Sequence, residues 1–349
     1  MPDLTSFKPQ GMLHEGWSAQ VNDYALACGW TQDCQILITG DVAGGLYAFE
    51  GSSGSLIWQH QEVHQGGLLA LAVHPIRSLL ATAGQDGVVH IWDCLQGKIV
   101  ESLSPGKGWA EHLCWSNDGS LLAIAISRRV YVFTIEGKEE WRSTEQPSTV
   151  SSIRWSSTNE LALSCYGRVL FVEPINNKIT QQLEWPGSLV SMVLSPNGDI
   201  VACGSQDNSV HFWRRSTGKD AEMTGYPGKP SQLAFDQTGR FLATGGSETI
   251  TVWNFQGDGP EGSLPGRLSI HPEPISSLSF ANSGPLLASG ARDGSIFVWY
   301  VDNNGDGDLV GGAFVGDLVS TVSWRPDDAA LAVVNSNGGV EVFNFKTRN

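Results

Sequence analysis

The chain has 349 residues, 41% of them hydrophobic and 16% charged, enough for a packed core and too apolar for a disordered polymer. Its 41 glycines are too many for a helical protein and suit short strands joined by tight turns. A net charge of −15 repels phosphate backbones, which makes nucleic acid an unexpected partner and a protein with a basic surface an expected one.

In chain order, the opening stretch MPDLTSFKPQGMLHEGW has no apolar core of a signal peptide. No run of 18 apolar residues follows it, so insertion into a membrane is not expected. Six cysteines (28, 34, 94, 114, 165 and 203) are scattered without a C-x-x-C pair. They are expected to be reduced, mostly buried thiols in a cytoplasmic protein.

From Trp30 onward one pattern recurs. A large apolar residue ends a strand just before a polar turn at Trp30, Val73, Trp115, Trp155, Leu194, Phe235, Phe280 and Trp324, with spacings of 43, 42, 40, 39, 41, 45 and 44. A second marker ends a later strand at Phe49, Trp92, Phe133, Val172, Trp213, Trp253, Trp299 and Phe343, spaced 43, 41, 39, 41, 40, 46 and 44. Both give eight copies of one unit. The second copy is the clearest: strands at 69–73, 79–83, 88–92 and 98–103, with a tight turn at Gln85-Asp86-Gly87. Strand d often follows a glycine, as at Gly54, Gly97 and Gly137. The last copy lacks a strand d of its own. The segment around 11–18 opens the same way and is expected to supply it, covering an edge that would otherwise invite association.

A period of 40 to 45 residues, four strands per unit and the pair Trp92-Asp93 resemble the WD-repeat (WD-40, β-transducin-like) β-propellers. The pair varies to Trp213-Arg214, Trp253-Asn254 and Trp299-Tyr300, and copies 1, 3, 4 and 8 lack the Trp. The resemblance implies an all-β propeller of four-stranded antiparallel blades, occupying residues 1–349 as one domain. Eight blades is the reading, with seven plus a stray hairpin as the alternative.

In that family a His before strand a, a hydroxyl in strand b, the Asp of the b–c turn and the strand-c Trp form a buried hydrogen-bonded chain. The resemblance places this set at His64, Thr82, Asp86 and Trp92, and at His271, Ser289, Asp293 and Trp299. Cys203 and Trp185 interrupt the copy around Trp213, and Tyr226 takes the His position in the copy around Trp253. An Asp-His-Ser set also invites a catalytic reading. Its recurrence at repeat positions, ending on a core indole, points instead to structure.

Two stretches imitate metal sites. His60, Glu62 and His64 alternate along an extended segment, and the loop from Asp302 to Asp308 has oxygens at the first calcium-loop positions. The loop has Ala313 where the bidentate Glu belongs, and both are read as turn or repeat elements, with no metal or cofactor expected. No phosphate loop occurs. Inner strands ALACG, LALAV, SSIRW, SMVLS and SSLSF carry Arg154 alone among charged residues, so catalysis in a central channel is not expected.

The family resemblance places partner docking on the face made by the d–a and b–c loops. Candidate contact residues there are Tyr24, Gln85, Trp109, Gln206, Lys229 and Arg292. The expected function is a non-catalytic scaffold in the assembly of a multiprotein complex. A metal- or small-ligand-binding propeller accessory protein is the alternative.

Overall fold

In the computed structural model the described residues are 10–257 and 259–346, so residues 1–9 and 347–349 of the expected domain lie outside them. These residues form eight antiparallel sheets arranged as the blades of one ring, with no helix among them. Blade 2 contains Leu68–Val73, Leu79–Gly84, Val89–Asp93 and Lys98–Leu103, in spatial order a-b-c-d. Gly87 takes a φ of +73° in its b–c turn, a conformation that a side chain would strain.

The inner strands touch one another around the ring, and Ala25–Trp30 of blade 1 packs on Val319–Trp324 of blade 8. Strand b lies between neighbouring blades and is apolar on both faces: Ile36–Asp41 and Ile200–Ser205 are buried throughout. Strand d lies at the periphery, where Lys98–Leu103 buries only its last residue fully. Each core cluster spans two blades, as where Ala81, Val89 and Ile91 meet Trp115, Leu122 and Ile124. No blade closes a core alone.

The strand-a tryptophans join the blades. The indole N–H of Trp115 donates to the Ala72 carbonyl at 3.0 Å, Trp155 to Cys114 at 3.0 Å and Trp324 to Ser279 at 3.1 Å. Trp30 donates to Ser323 at 3.2 Å across the ring closure. In each case the acceptor is the residue just before the neighbour's own marker.

The closing strand is Leu13–Gln20, running antiparallel to Gly339–Phe345 from Leu13 opposite Phe345 to Gln20 opposite Gly339. It begins two residues later than the sequence pattern indicates. Gln10 and Gly11 pair instead with Gly312 and Gly311, adding a fifth strand to blade 7. Gly11 makes the crossing at a φ of +69°, where a Cβ would collide with the Val310 carbonyl. The N-terminal segment therefore binds two blades.

Candidate functional site

The repeat polar residues lie in the interior. In blade 2, Trp92 Nε1–H donates to Thr82 Oγ1 at 2.9 Å, and Thr82 faces His64 Nε2 at 2.9 Å. His64 Nδ1 lies 3.3 Å from Asp86 Oδ1, and Asp86 also accepts the backbone N–H of Gln65 and Val88. Because the Asp86 carboxylate only accepts, Nδ1 carries the proton of the neutral ring and Nε2 accepts from the Thr82 hydroxyl. Burial holds the His64 pKa below its ordinary value despite the nearby carboxylate.

Blade 7 differs from the expected four-residue chain. Trp299 donates to Ser289 Oγ at 2.9 Å and Ser289 reaches His271 Nε2 at 2.7 Å. Asp293 does not bond the imidazole directly. The Ser295 hydroxyl stands between them, 2.7 Å from His271 Nδ1 and 2.7 Å from Asp293 Oδ1. Val88 occupies the matching position of blade 2, whereas blade 5 has Ser209 there, bonded to Asp207 Oδ1 at 2.7 Å but with Trp185 in place of the His. Burial pushes the His271 pKa down to about 4.

Two other blades rebuild the chain. Tyr226 OH accepts the Trp253 indole N–H at 2.8 Å and bonds Thr244 at 3.0 Å, replacing both imidazole and bridge. Trp185 stacks on His211 with ring centroids 3.8 Å apart. These are packing solutions to the same buried turn.

The metal-like stretches are committed elsewhere. His60 Nε2 bonds the Gly97 carbonyl at 2.7 Å while His64 turns to Thr82. Asp302 accepts the N–H of Asn304 and Asp306, closing a tight turn on itself. Among the described residues no group of three or more His, Cys, Asp or Glu side chains could hold a metal ion. The inner strand of blade 3, Ala110–Trp115, brings Glu111 and His112 to the channel wall. Glu111 is thus a second charged residue on an inner strand, outside the five segments that mark Arg154 as the lone charge. Burial and nearby Arg154 bring the His112 pKa down to about 4.

The d–a and b–c loops form one face. A backbone hydrogen bond joins them repeatedly: Val42 N–H to the Tyr24 carbonyl, Gln85 to Gly67, Gln206 to Ser188, Arg292 to Pro274 and Ser336 to Leu318. Trp109 stands 52% exposed on this rim. Gln206, Lys229 and Arg292 are exposed, while Tyr24 and Gln85 are half-buried. The candidates are spread around the ring rather than gathered into one pocket. Tyr166, 56% exposed in the b–c turn of blade 4, is a rim aromatic that the sequence pattern passes over because it follows Cys165 rather than a turn Asp.

Eight blades, two of which hold a buried Trp–hydroxyl–His chain, define a β-propeller of the repeat type. Comparison with known families places the WD domain, G-beta repeat on residues 56–93, 178–214, 221–254 and 262–300. These matches end at Asp93, Arg214, Asn254 and Tyr300, directly after the four strand-c tryptophans. The chain carries four WD repeats within an eight-bladed β-propeller.

Human Telomerase Cajal body protein 1 is 26% identical over 273 residues, covering 70% of this chain and 48% of that protein. Autophagy-related protein 16 of Arabidopsis thaliana is 22% identical over 313 residues, covering 87% and 58%. Actin-interacting protein 1 of Caenorhabditis elegans is 23% identical over 337 residues, covering 93% and 54%. The chain thus spans about half the length of these curated relatives. The crystal structure of the computationally designed Ika8 protein matches with a TM-score of 0.81 at 20% identity, covering 96% of this chain and all of that one, and it shares the fold.

Proposed function

We propose that this chain is a non-catalytic scaffold that holds one or more proteins on the face built by its d–a and b–c loops, within a multiprotein complex in the cytoplasm. WD-repeat propellers are typically protein-interaction scaffolds and generally non-catalytic. The observation that carries the reading is Trp109, a large amphipathic side chain held half in solvent on the rim. The acidic stretches of the rim suit partners with basic surfaces. Burial raises the Cys28 and Cys94 pKa values to about 12, which keeps both thiols protonated and unreactive. The test is affinity capture from the native source with the full chain and with Trp109→Ala and Arg292→Ala. Both variants should keep the circular dichroism of the parent, and at least one should lose a captured partner. Undiminished capture by both would overturn the docking face.

A further inference from the structure

We infer that the sector of this face formed by blades 3 and 4 binds an acidic peptide segment carrying an apolar anchor residue. The inference rests on the docking-face reading and specifies the chemistry of one partner.

The rim is continuous across this sector. Gly87 lies against the Gly108 carbonyl, and Gly108 against the Ser127 side chain. Val150 N–H donates to the Ser127 carbonyl at 2.8 Å, Gln146 N–H to the Arg128 carbonyl at 2.8 Å, and Tyr166 N–H to Ser148 Oγ at 2.8 Å. Trp109 and Tyr166 flank the stretch, both more than half exposed. Two large rim aromatics with their faces in solvent are unused apolar area.

Between them the charge is inverted relative to the chain. Lys107, Arg128, Arg129 and Arg168 gather here in a protein of net charge −15, with Glu145 beside Arg128 and Arg129 and Glu184 opposite Arg168 on the neighbouring strand. Glu145 is shared, 2.9 Å from Arg128 Nη1 and 3.4 Å from Arg129 Nη2. Gln146 is buried and holds two guanidiniums in place, its carbonyl accepting Arg128 Nε–H at 2.7 Å and its Oε1 accepting Arg168 Nη2–H at 2.9 Å. Arg168 Nε is buried without a partner. Elsewhere on the rim, Asp23, Glu62, Glu248, Glu273 and Asp317 outnumber Lys229 and Arg292. Fixed guanidiniums recognise carboxylates in bidentate fashion, and an exposed aromatic takes the neighbouring apolar side chain.

A short acidic segment fits where a longer polyanion does not. Charge is screened over about 8 Å at physiological salt, so the sector acts locally. A nucleic acid or an anionic bilayer extends past it onto the acidic remainder of the rim.

The test uses the full chain and a fluorescein-labelled peptide of glutamates around a Leu-Phe pair, followed by fluorescence anisotropy. The same peptide with lysine for glutamate, a thymidine oligonucleotide and phosphatidylserine vesicles are the comparison probes. The glutamate peptide should bind best and weaken with salt. Binding should fall about tenfold or more in Trp109→Ala and in the double variant Arg128→Glu/Arg129→Glu. It should hold in Arg292→Glu, whose charge lies in blade 7. Arg129→Gln, a milder change at an exposed side chain, should weaken binding with an unchanged thermal midpoint. A glutamate peptide that binds no better than its lysine counterpart, ignores the charge reversal, or loses to oligonucleotide or vesicles overturns the inference. If Arg292→Ala loses a captured partner while the glutamate peptide fails, the scaffold reading stands and this sector assignment falls. If capture is also undiminished in Trp109→Ala and Arg292→Ala, both fall.

Discussion

His271 is held between two hydroxyls, and that position fixes its charge. Ser289 bonds Nε2 and Ser295 relays Nδ1 to Asp293, so the neutral ring satisfies both nitrogens without meeting a carboxylate directly. The folded pKa of about 4 lies below the ordinary 6.5, so the unfolded chain binds this proton more readily. The contribution is therefore fully present above pH 6.5 and is lost as pH falls toward 4, a swing of about 3 kcal/mol from this ring. Urea midpoints measured across that range should fall steeply for the parent and less steeply for His271→Gln, although the variant starts lower. Equal slopes would contradict the assignment. The sequence marks His271, Ser289 and Trp299 because each sits at a repeat offset. It does not mark Ser295, since that position varies from copy to copy, with Val88 in blade 2, Arg129 in blade 3 and Ser209 in blade 5, and so carries no periodic signal.

At the scale of strands, the repeat markers turn out to be joints. Trp30, Trp115, Trp155 and Trp324 each bridge to the preceding blade, which explains why the end of strand a keeps a large residue when the rest of a copy drifts. Outer strands do the same on the periphery. Trp17 donates to the Gly51 carbonyl at 3.0 Å and Trp58 to Cys94 at 2.7 Å. Their rings lie over Gly54 and Gly97, leaving no room for a Cβ. The glycine before strand d is thus legible in sequence as a turn and is also a seat for the preceding blade's indole. Trp30→Phe should keep most of the apolar contact and remove one bond, costing about 1–2 kcal/mol, with Trp115→Phe costing a similar amount. Denaturation midpoints read this directly, and unchanged midpoints would mean that the indole bonds do not hold the blades. Period and blade number could be read from the chain because these joints repeat. The rim could not, because Tyr166 and the blade 3–4 arginines sit where the repeat leaves the sequence free.

For the whole ring, net charge hides the distribution that matters for docking, while closure depends on one short segment. Leu13 is 1% exposed and packs with Phe343, Phe345 and Val322, while Trp17 and Ala19 pack on the blade 8–blade 1 core. Gln10 and Gly11 hold the same segment to blade 7. Removing residues 1–20 leaves Gly339–Phe345 with a row of unpaired backbone groups at an apolar edge, which is a template for another chain. Burial of Leu13 alone is worth about 2–5 kcal/mol by the usual cost of deleting such a side chain. The truncated protein should melt at lower temperature and self-associate in light scattering, and a synthetic peptide of residues 10–22 should restore the monomer. Leu13→Asp should reproduce the loss of stability with the chain intact. A truncated protein that stays monomeric with the parent's midpoint would show that the other blade junctions close the ring without this strand. The peptide rescue separates edge capping from general unfolding, because an unfolded chain has no strand edge for the peptide to pair with.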